Sequence, residues 1–402
     1  MAAPVERESQ ESGPAGQVAR AGEFHPLQLG PLSVWPPVVL APMAGVTNLA
    51  FRSLCREQGA GLYVSEMITA RGFLNGNRLT NLLASSDPSE KPRSVQVYGS
   101  DPIDLSEMVR TLVDQGVDHI DLNLGCPVPK VTRTGGGSAI PVKPRLVARL
   151  VRAMISVAGG VPVTIKMRKG ISADLITFED AARAAEDEGV AAIALHGRTA
   201  EELYSGQADW NSIARLKQSV AVPVLGNGDI WECWDALRMM RETGCDAVVV
   251  GRGCLGRPWL FRELAQVFDG REPDPPPNMG QVALVMRDHA VRLTSLFGAT
   301  TGLRHMRKWS TWYTKGFRGS AAIRGRLHLI ESLAELDSLL SELDPDEPFP
   351  QSALRTSRAK RGGRQKVRLP EGYLDDLQDD TPPRGPHSPS EIAAHERALE
   401  GG

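Results

Sequence analysis

The stretch "VDQGVDHIDLNLGC" (residues 113–126) carries the signal that decides the fold. A helical pattern closes on Gly116, and an apolar run of strand type begins directly after it. Glycine just past the last helical turn takes the left-handed conformation that ends a helix. The same order of events recurs at "REQGAGLYVSEM" (56–67), "EDEGVAAIALHG" (186–197) and "RETGCDAVVVG" (241–251). Between them lie apolar runs entered through proline: "PPVVLAPM" (36–43), "KPRSVQVYG" (91–99), "GVPVTIKMR" (160–168) and "AVPVLGNGDI" (221–230). Helix-compatible segments separate most of these eight runs, with Thr47, Asp101 and Thr177 at the positions expected of N-caps. Strands that read as continuous apolar runs belong to a parallel sheet covered by helices. Eight alternating units between residues 36 and 255 therefore predict a closed (β/α)8 TIM barrel rather than an open doubly wound sheet.

The barrel is expected over residues 31–265. The break "REPDPPPNMG" (271–280) ends the alternation, and residues 275–343 read as a smaller all-helical C-terminal domain with "LHLIESLAELDSLLSEL" (327–343) periodic at helical spacing. Residues 1–30 and the charged tail 344–402, with "RTSRAKRGGRQKVR" followed by "EGYLDDLQDD", are expected to be disordered on composition.

A 41% apolar fraction supports a sizeable core. The first thirty residues lack the apolar stretch of a secretory signal, and no run is long enough to span a membrane. Five cysteines, at 55, 126, 233, 245 and 254, show no CxxC spacing. That pattern points to a reduced, cytoplasmic protein without a disulfide framework or thiolate metal site. The net charge of −2 conceals a local excess: residues 281–330 hold nine basic side chains against Asp288 alone. Such a segment attracts polyanions whatever the global charge.

In barrels of this type the site lies at the C-terminal ends of the strands. Usable residues there are Met43, Glu66, Gln96, Asn123 with Cys126, Lys166 with Arg168, His196 with Arg198, Asn227 with Asp229, and Arg252. The turns "GNGDI" (226–230) and "GRG" (251–253) follow strands seven and eight, where glycine lets backbone N–H groups approach a phosphate. Lys166 lies inside an apolar strand, where lysine needs a partner. No residues have metal-ligand spacing, so no metal is expected. Cys126 is the unusual one: it stands in a loop of prolines and glycines, "DLNLGCPVPKVTRTGGGSAI" (121–140).

In this order and spacing, "APMAGVTNLAFRSLCREQGAGLYVSEM", the Cys126 loop, "TIKMRKG", "LHGRT", "GNGDI" and "GRPW" resemble the signatures of the bacterial tRNA-dihydrouridine synthases, and most closely their B-type, nitrogen-regulation-like branch. The resemblance covers about residues 32–340. It implies an FMN-binding barrel, a helical domain that grips tRNA, and NADPH-dependent reduction of the C5–C6 bond of uridines, in the B-type case those of the D-loop. It also implies that Pro42, Met43 and Ala44 line the flavin ring, Gln96 and Lys166 contact its polar edge, and His196 lies beside it. Asn227, Gly228, Asp229, Gly251 and Arg252 would hold the phosphate end. Cys126 would donate the proton, Asn123 would orient the uracil, and Lys130, Arg133 and Arg198 would contact RNA. Within "RHMRKWSTWYTKGFRG" (304–319) the aromatics are expected in the core, with the arginines and Lys308 facing RNA. The protein is expected to act as a monomer. Two rival readings are an FMN oxidoreductase of a free pyrimidine, similar to dihydroorotate dehydrogenases, and a non-catalytic RNA-binding barrel.

Overall fold

The computed structural model describes residues 17–358 and 363–383. Its main sheet is parallel and contains β3 (Val38–Leu40), β4 (Leu62–Tyr63), β5 (Ile68–Thr69), β6 (Ser94–Tyr98), β7 (His119–Leu124), β8 (Val163–Arg168), β9 (Ala192–His196), β10 (Val224–Asn227) and β11 (Ala247–Val250). The strand order β4-β3-β11-β10-β9-β8-β7-β6-β5 becomes a ring through a bridge between Val64 and Ser94. β4 and β5 are thus halves of one broken strand, and nine segments fill the eight positions of a (β/α)8 barrel. The break falls at Ser65, whose hydroxyl accepts the Gln96 N–H.

Side chains alternate across a strand, and here the alternation sorts polarity. Ile120, Leu122 and Leu124 of β7 and Val163, Ile165 and Met167 of β8 join the core between sheet and helices. Their neighbours His119, Asp121 and Asn123, and Thr164, Lys166 and Arg168, turn inward. Val39, Ala192, Ala194, Leu225, Ala247 and Val249 line the opposite inner wall, which is apolar. An antiparallel hairpin of β1 (Leu27–Leu29) and β2 (Leu32–Val34) packs on that wall with Leu27, Leu29 and Val34 buried. The expectation that residues 1–30 are disordered is therefore corrected for 17–30: small inward residues such as Ala192 and Ala247 leave room that Leu27 and Leu29 fill. Residues 1–16 lie outside the described residues.

The capping glycines behave as the pattern requires, with φ of 96°, 76°, 89° and 70° at Gly59, Gly116, Gly189 and Gly244. Asp101 caps the helix Pro102–Asp114. Thr47 does not cap the helix Leu49–Glu57: Asn48 accepts the Phe51 N–H there, while the Thr47 hydroxyl closes a turn on Met43. Thr177 occupies a cap position without a side-chain bond.

Beyond the barrel, helices Met279–Phe297, Ala299–Tyr313, Ser320–Leu327 and Leu333–Leu340 share the barrel's core. Trp309 is fully buried, 4.4 Å from Phe51 and 4.6 Å from His289 between ring centroids. Tyr313 and Phe317 are buried with it. The Arg292 guanidinium reaches across to Glu57 at 2.7 Å. No described helix is long and apolar enough to cross a membrane.

The chain after 344 is not the free tail its composition suggests. Phe349 is buried between Trp259 and Phe317, and Arg358 donates to the carbonyls of Trp312 and Ala353. Residues 363–383 run back across the barrel rim; 359–362 and 384–402 lie outside the described residues.

Arg52 and Glu90 form a buried two-pronged pair at 2.7 and 3.1 Å, and Arg52 also donates to the carbonyls of Thr47 and Ser85. Removing one partner strands a buried charge, so Arg52→Ala should lower the unfolding free energy by about 3–5 kcal/mol. Urea denaturation of the variant beside the wild type measures this.

Candidate active site

The loop after β7 is held from below by a chain of hydrogen bonds between inward-facing side chains. The buried Asp121 carboxylate accepts from Thr164 Oγ1 (2.6 Å) and Gln96 Nε2 (2.7 Å). Gln96 Oε1 accepts from Asn123 Nδ2 (2.8 Å). Asn123 Oδ1 then accepts the backbone N–H groups of Gly125 (3.1 Å) and Cys126 (3.0 Å). Burial raises the Asp121 carboxyl pKa, and the bonds from Thr164 and Gln96 oppose that rise. His119 extends the chain to Thr164 and Ser94, and burial lowers its pKa to about 4.

The three glycines of the loop have separate steric reasons. A Cβ on Gly135 would sit 2.7 Å from Pro383, and one on Gly136 would strike the Tyr98 hydroxyl. At Gly137, where φ is +55°, it would sit 2.5 Å from the Cys126 carbonyl oxygen. The Cys126 carbonyl meanwhile accepts from the Ser138 N–H at 3.0 Å. The cysteine is thus fixed on both sides of its own backbone. Burial pushes its thiol pKa up, against smaller opposing pulls from the Val128 N–H and then Arg168. A thiol ordinarily titrates near 8.5, so at neutral pH this one keeps its proton. Cys55, Cys233, Cys245 and Cys254 are buried.

Cations crowd the same rim. Lys166 forms no ion pair among the described residues, and burial, with Arg168 adding to it, lowers its pKa to about 8. Arg168 is buried and donates to the carbonyls of Gly125, Thr199 and Leu203. Arg252 lies 4.5 Å from the Tyr204 ring and 3.5 Å from Asp229. His196 is held neutral by burial and then by Arg168, Lys166, Arg198 and Arg252, all of which depress its pKa. Excess positive charge in a partly closed site calls for an anion.

Several expected roles need correcting. Arg198 does not face RNA: it is 1% exposed, bonded to the carbonyls of Ser205 and Gly206 and paired with Asp229 at 2.8 Å. Asp229 is therefore occupied by arginines and is itself an anion; it holds the guanidinium groups rather than a phosphate. Its φ of +57° is a strained conformation outside glycine. Gln96 has no exposed surface and both ends of its amide bind protein, so it supports the loop instead of offering an open contact. Asn227 spends its amide on the Val249 carbonyl (2.7 Å). Lys308 donates to the Gly45 carbonyl, and the Gly45 N–H in turn donates to Glu66. Lys308 thereby braces the Pro42–Met43–Ala44 turn rather than facing RNA.

Pro42, Met43, Ala44, Gly251 and Arg252 are half-buried, Gly228 is buried, and Lys130 and Arg133 are exposed. Tyr204, 40% exposed between Arg252 and His196, went unread because one aromatic in the polar loop "RTAEELYSGQADW" carries no periodic signal. Gln365 and Tyr373 went unread with the tail. Tyr373 is buried against the loop, its hydroxyl donating toward the Gly135 and Ala139 carbonyls (3.4 and 3.3 Å). Lys143 pairs with Asp379 at 2.6 Å and lies over the Tyr373 ring.

Comparison with known proteins places this arrangement. Residues 39–352 match the family model described as dihydrouridine synthase. A Mycobacterium tuberculosis protein named probable tRNA-dihydrouridine synthase is 49% identical over 370 residues, covering 89% of this chain and 95% of that protein. The tRNA-dihydrouridine synthase B of Xanthomonas axonopodis pv. citri is 41% identical over 306 residues, covering 76% of this chain and 92% of that protein. Among solved structures, histamine dehydrogenase from Rhizobium sp. 4-9 superposes with a TM-score of 0.50 at 12% identity, covering 81% of this chain and 65% of that chain, a likeness of fold alone. With its barrel, its Cys126 loop and a family match over most of its length, the chain belongs to the dihydrouridine synthase family.

Proposed function

We propose that this protein is an FMN-dependent tRNA-dihydrouridine synthase that draws electrons from NADPH and uses Cys126 as proton donor, acting on uridines of the D-loop. The observation that carries the reading is the clamped Cys126 loop: a thiol kept protonated by burial, beside Lys166 and Arg168, which have no ion pair among the described residues.

The residues suit a phosphorylated flavin on two counts. Arg198 Nη1 is buried without a partner. A Cβ on Gly251 would touch only Ala41 (3.8 Å) and Met43 (3.9 Å), so packing does not demand glycine there and the bare backbone is free for a phosphate. Pro42, Met43 and Ala44 would lie against the ring, Lys166 and His196 at its edge, and Gly228, Gly251 and Arg252 at the phosphate. When bound and reduced, the flavin supplies a hydride for C6 of uracil. The neutral Cys126 thiol then delivers its proton to C5, which completes the reduction. A stacked base cannot reach this rim, so the uridine must be turned out of its helix. Asn123 fixes the cysteine backbone against the incoming base, and Lys130 and Arg133 stand exposed for the flanking phosphates.

Cys126→Ala should cut dihydrouridine formation on unmodified tRNA by about 10²–10⁴-fold while leaving bound flavin unchanged. Equal product from wild type and variant, measured by mass spectrometry of the digested tRNA, removes Cys126 from the mechanism. Asn123→Ala, which frees two backbone donors, should lower kcat by about 10-fold with KM little altered.

Lys166 provides a pH dependence. Its depressed pKa means the ammonium is charged below about pH 8 and lost above it, so affinity for the anionic cofactor should fall between about pH 7 and about pH 9. Flavin fluorescence titration should show that fall in wild type, and a weaker, flat profile in Lys166→Met. A flat wild-type profile would detach Lys166 from cofactor binding.

A further inference from the structure

Residues 363–369 lie extended along the rim, and their alternation separates two faces. Gln365, Val367 and Leu369 turn toward the barrel. The Gln365 N–H donates to the Glu201 carbonyl (3.0 Å), and its side chain donates to the carbonyls of Pro127 (2.8 Å) and Ala200 (3.1 Å). Val367 is buried, and its N–H reaches Glu201 Oε1 at 3.3 Å. Arg364, Lys366 and Arg368 point outward, exposed, and none has an ion pair among the described residues. An extended chain repeats one face about every 6.6 Å, so the three cations form a row. Pro127, which Gln365 holds, adjoins Cys126 and is three residues from Lys130.

We propose that Arg364, Lys366 and Arg368 form a phosphate-binding strip for the RNA strand entering the Cys126 site, an inference that rests on RNA being the substrate. The strip lies past residue 352, where the family match ends. Its need follows from how the helical domain uses its own cations. Arg287 is paired with Asp337, Arg292 with Glu57 and Asp288, and Arg326 with Glu342; Lys308 is bonded to Gly45. Of the nine, Arg304 and Arg318 are exposed without an ion pair among the described residues. Exposed charge beside the Cys126 loop comes from Lys130, Arg133 and the strip. The second half of this rim-crossing strap, residues 363–383, gives the strip a limit: Asp379 and Asp380 are spent on Lys143 and Arg149, while Glu371, Asp375 and Asp376 are exposed and would repel RNA. The RNA path therefore follows 364–369 and leaves the strap before 371.

The test is steady-state dihydrouridine formation by the full chain on unmodified tRNA transcript across a salt series. The variants are R364Q/K366Q/R368Q and, as a control for charge removed elsewhere, R110Q/R183Q on the exposed outer helices of the barrel. The strip variant should raise KM about 10-fold at low salt and flatten the slope of log KM against log salt by about 2, with kcat within about two-fold of wild type. The control should match wild type. Unchanged KM and slope overturn the proposal. So does a loss confined to kcat, which would make the strap only a brace for the Cys126 loop. If wild type forms no dihydrouridine, the enzymatic reading fails separately, and the strip is judged by filter binding of the same transcript: equal affinity and salt slope in wild type and variant overturn it.

Discussion

One oxygen atom, Asn123 Oδ1, accepts two successive backbone N–H groups, those of Gly125 and Cys126. The loop that carries the cysteine contains Pro127, Pro129 and three consecutive glycines, so neither a ladder nor a long helix can fix it. Its position depends on side chains from neighbouring strands, and the barrel supplies them in register. Gln96 pairs across the sheet with Asp121, and Asn123 with Lys166. A closed barrel of parallel strands is the constraint that brings these inward residues to one level.

That polar chain is buried, and buried polar groups stabilise only when satisfied. Every link from His119 to Cys126 has a partner, so the rim is defined by hydrogen bonds rather than by close packing. The other inner wall is apolar and needs a plug, which the β1–β2 hairpin provides. The two walls divide the labour: one closes the bottom of the barrel, the other sets the geometry at the top.

The barrel was legible because its signals are local. Glycines with positive φ end the helices, and continuous apolar runs begin within a few residues. The identity of the rim residues was legible too, since strand ends can be counted. Their partners were not. Nothing in "LHGRT" says that Arg198 turns down onto Asp229, because the carbonyls of Ser205 and Gly206 that capture it arrive from a loop. Nor does "SVQVYG" reveal that both ends of the Gln96 amide bond across the sheet. Thr47 and Asn48 compete for one cap, and the outcome depends on Met43 offering Thr47 a turn to close. The tail misled for a different reason. Its composition resembles disorder, yet Phe349, Val367 and Tyr373, set apart among mostly polar residues, anchor it together with hydrogen bonds from Arg358 and Gln365.

Those surfaces explain why the strap and the cysteine loop belong together. Gly135 leaves the space that Pro383 fills, and the Tyr373 hydroxyl donates toward the carbonyls of Gly135 and Ala139 in the irregular loop. A loop without such support would sample many positions, and a proton donor is effective only near one of them. Asn123 fixes the cysteine end of the loop from inside the barrel; Gln365 and Tyr373 fix its outer side. The alternation that turns Gln365 and Val367 inward necessarily turns Arg364, Lys366 and Arg368 outward. A single extended segment thus holds the loop with one face and presents positive charge with the other.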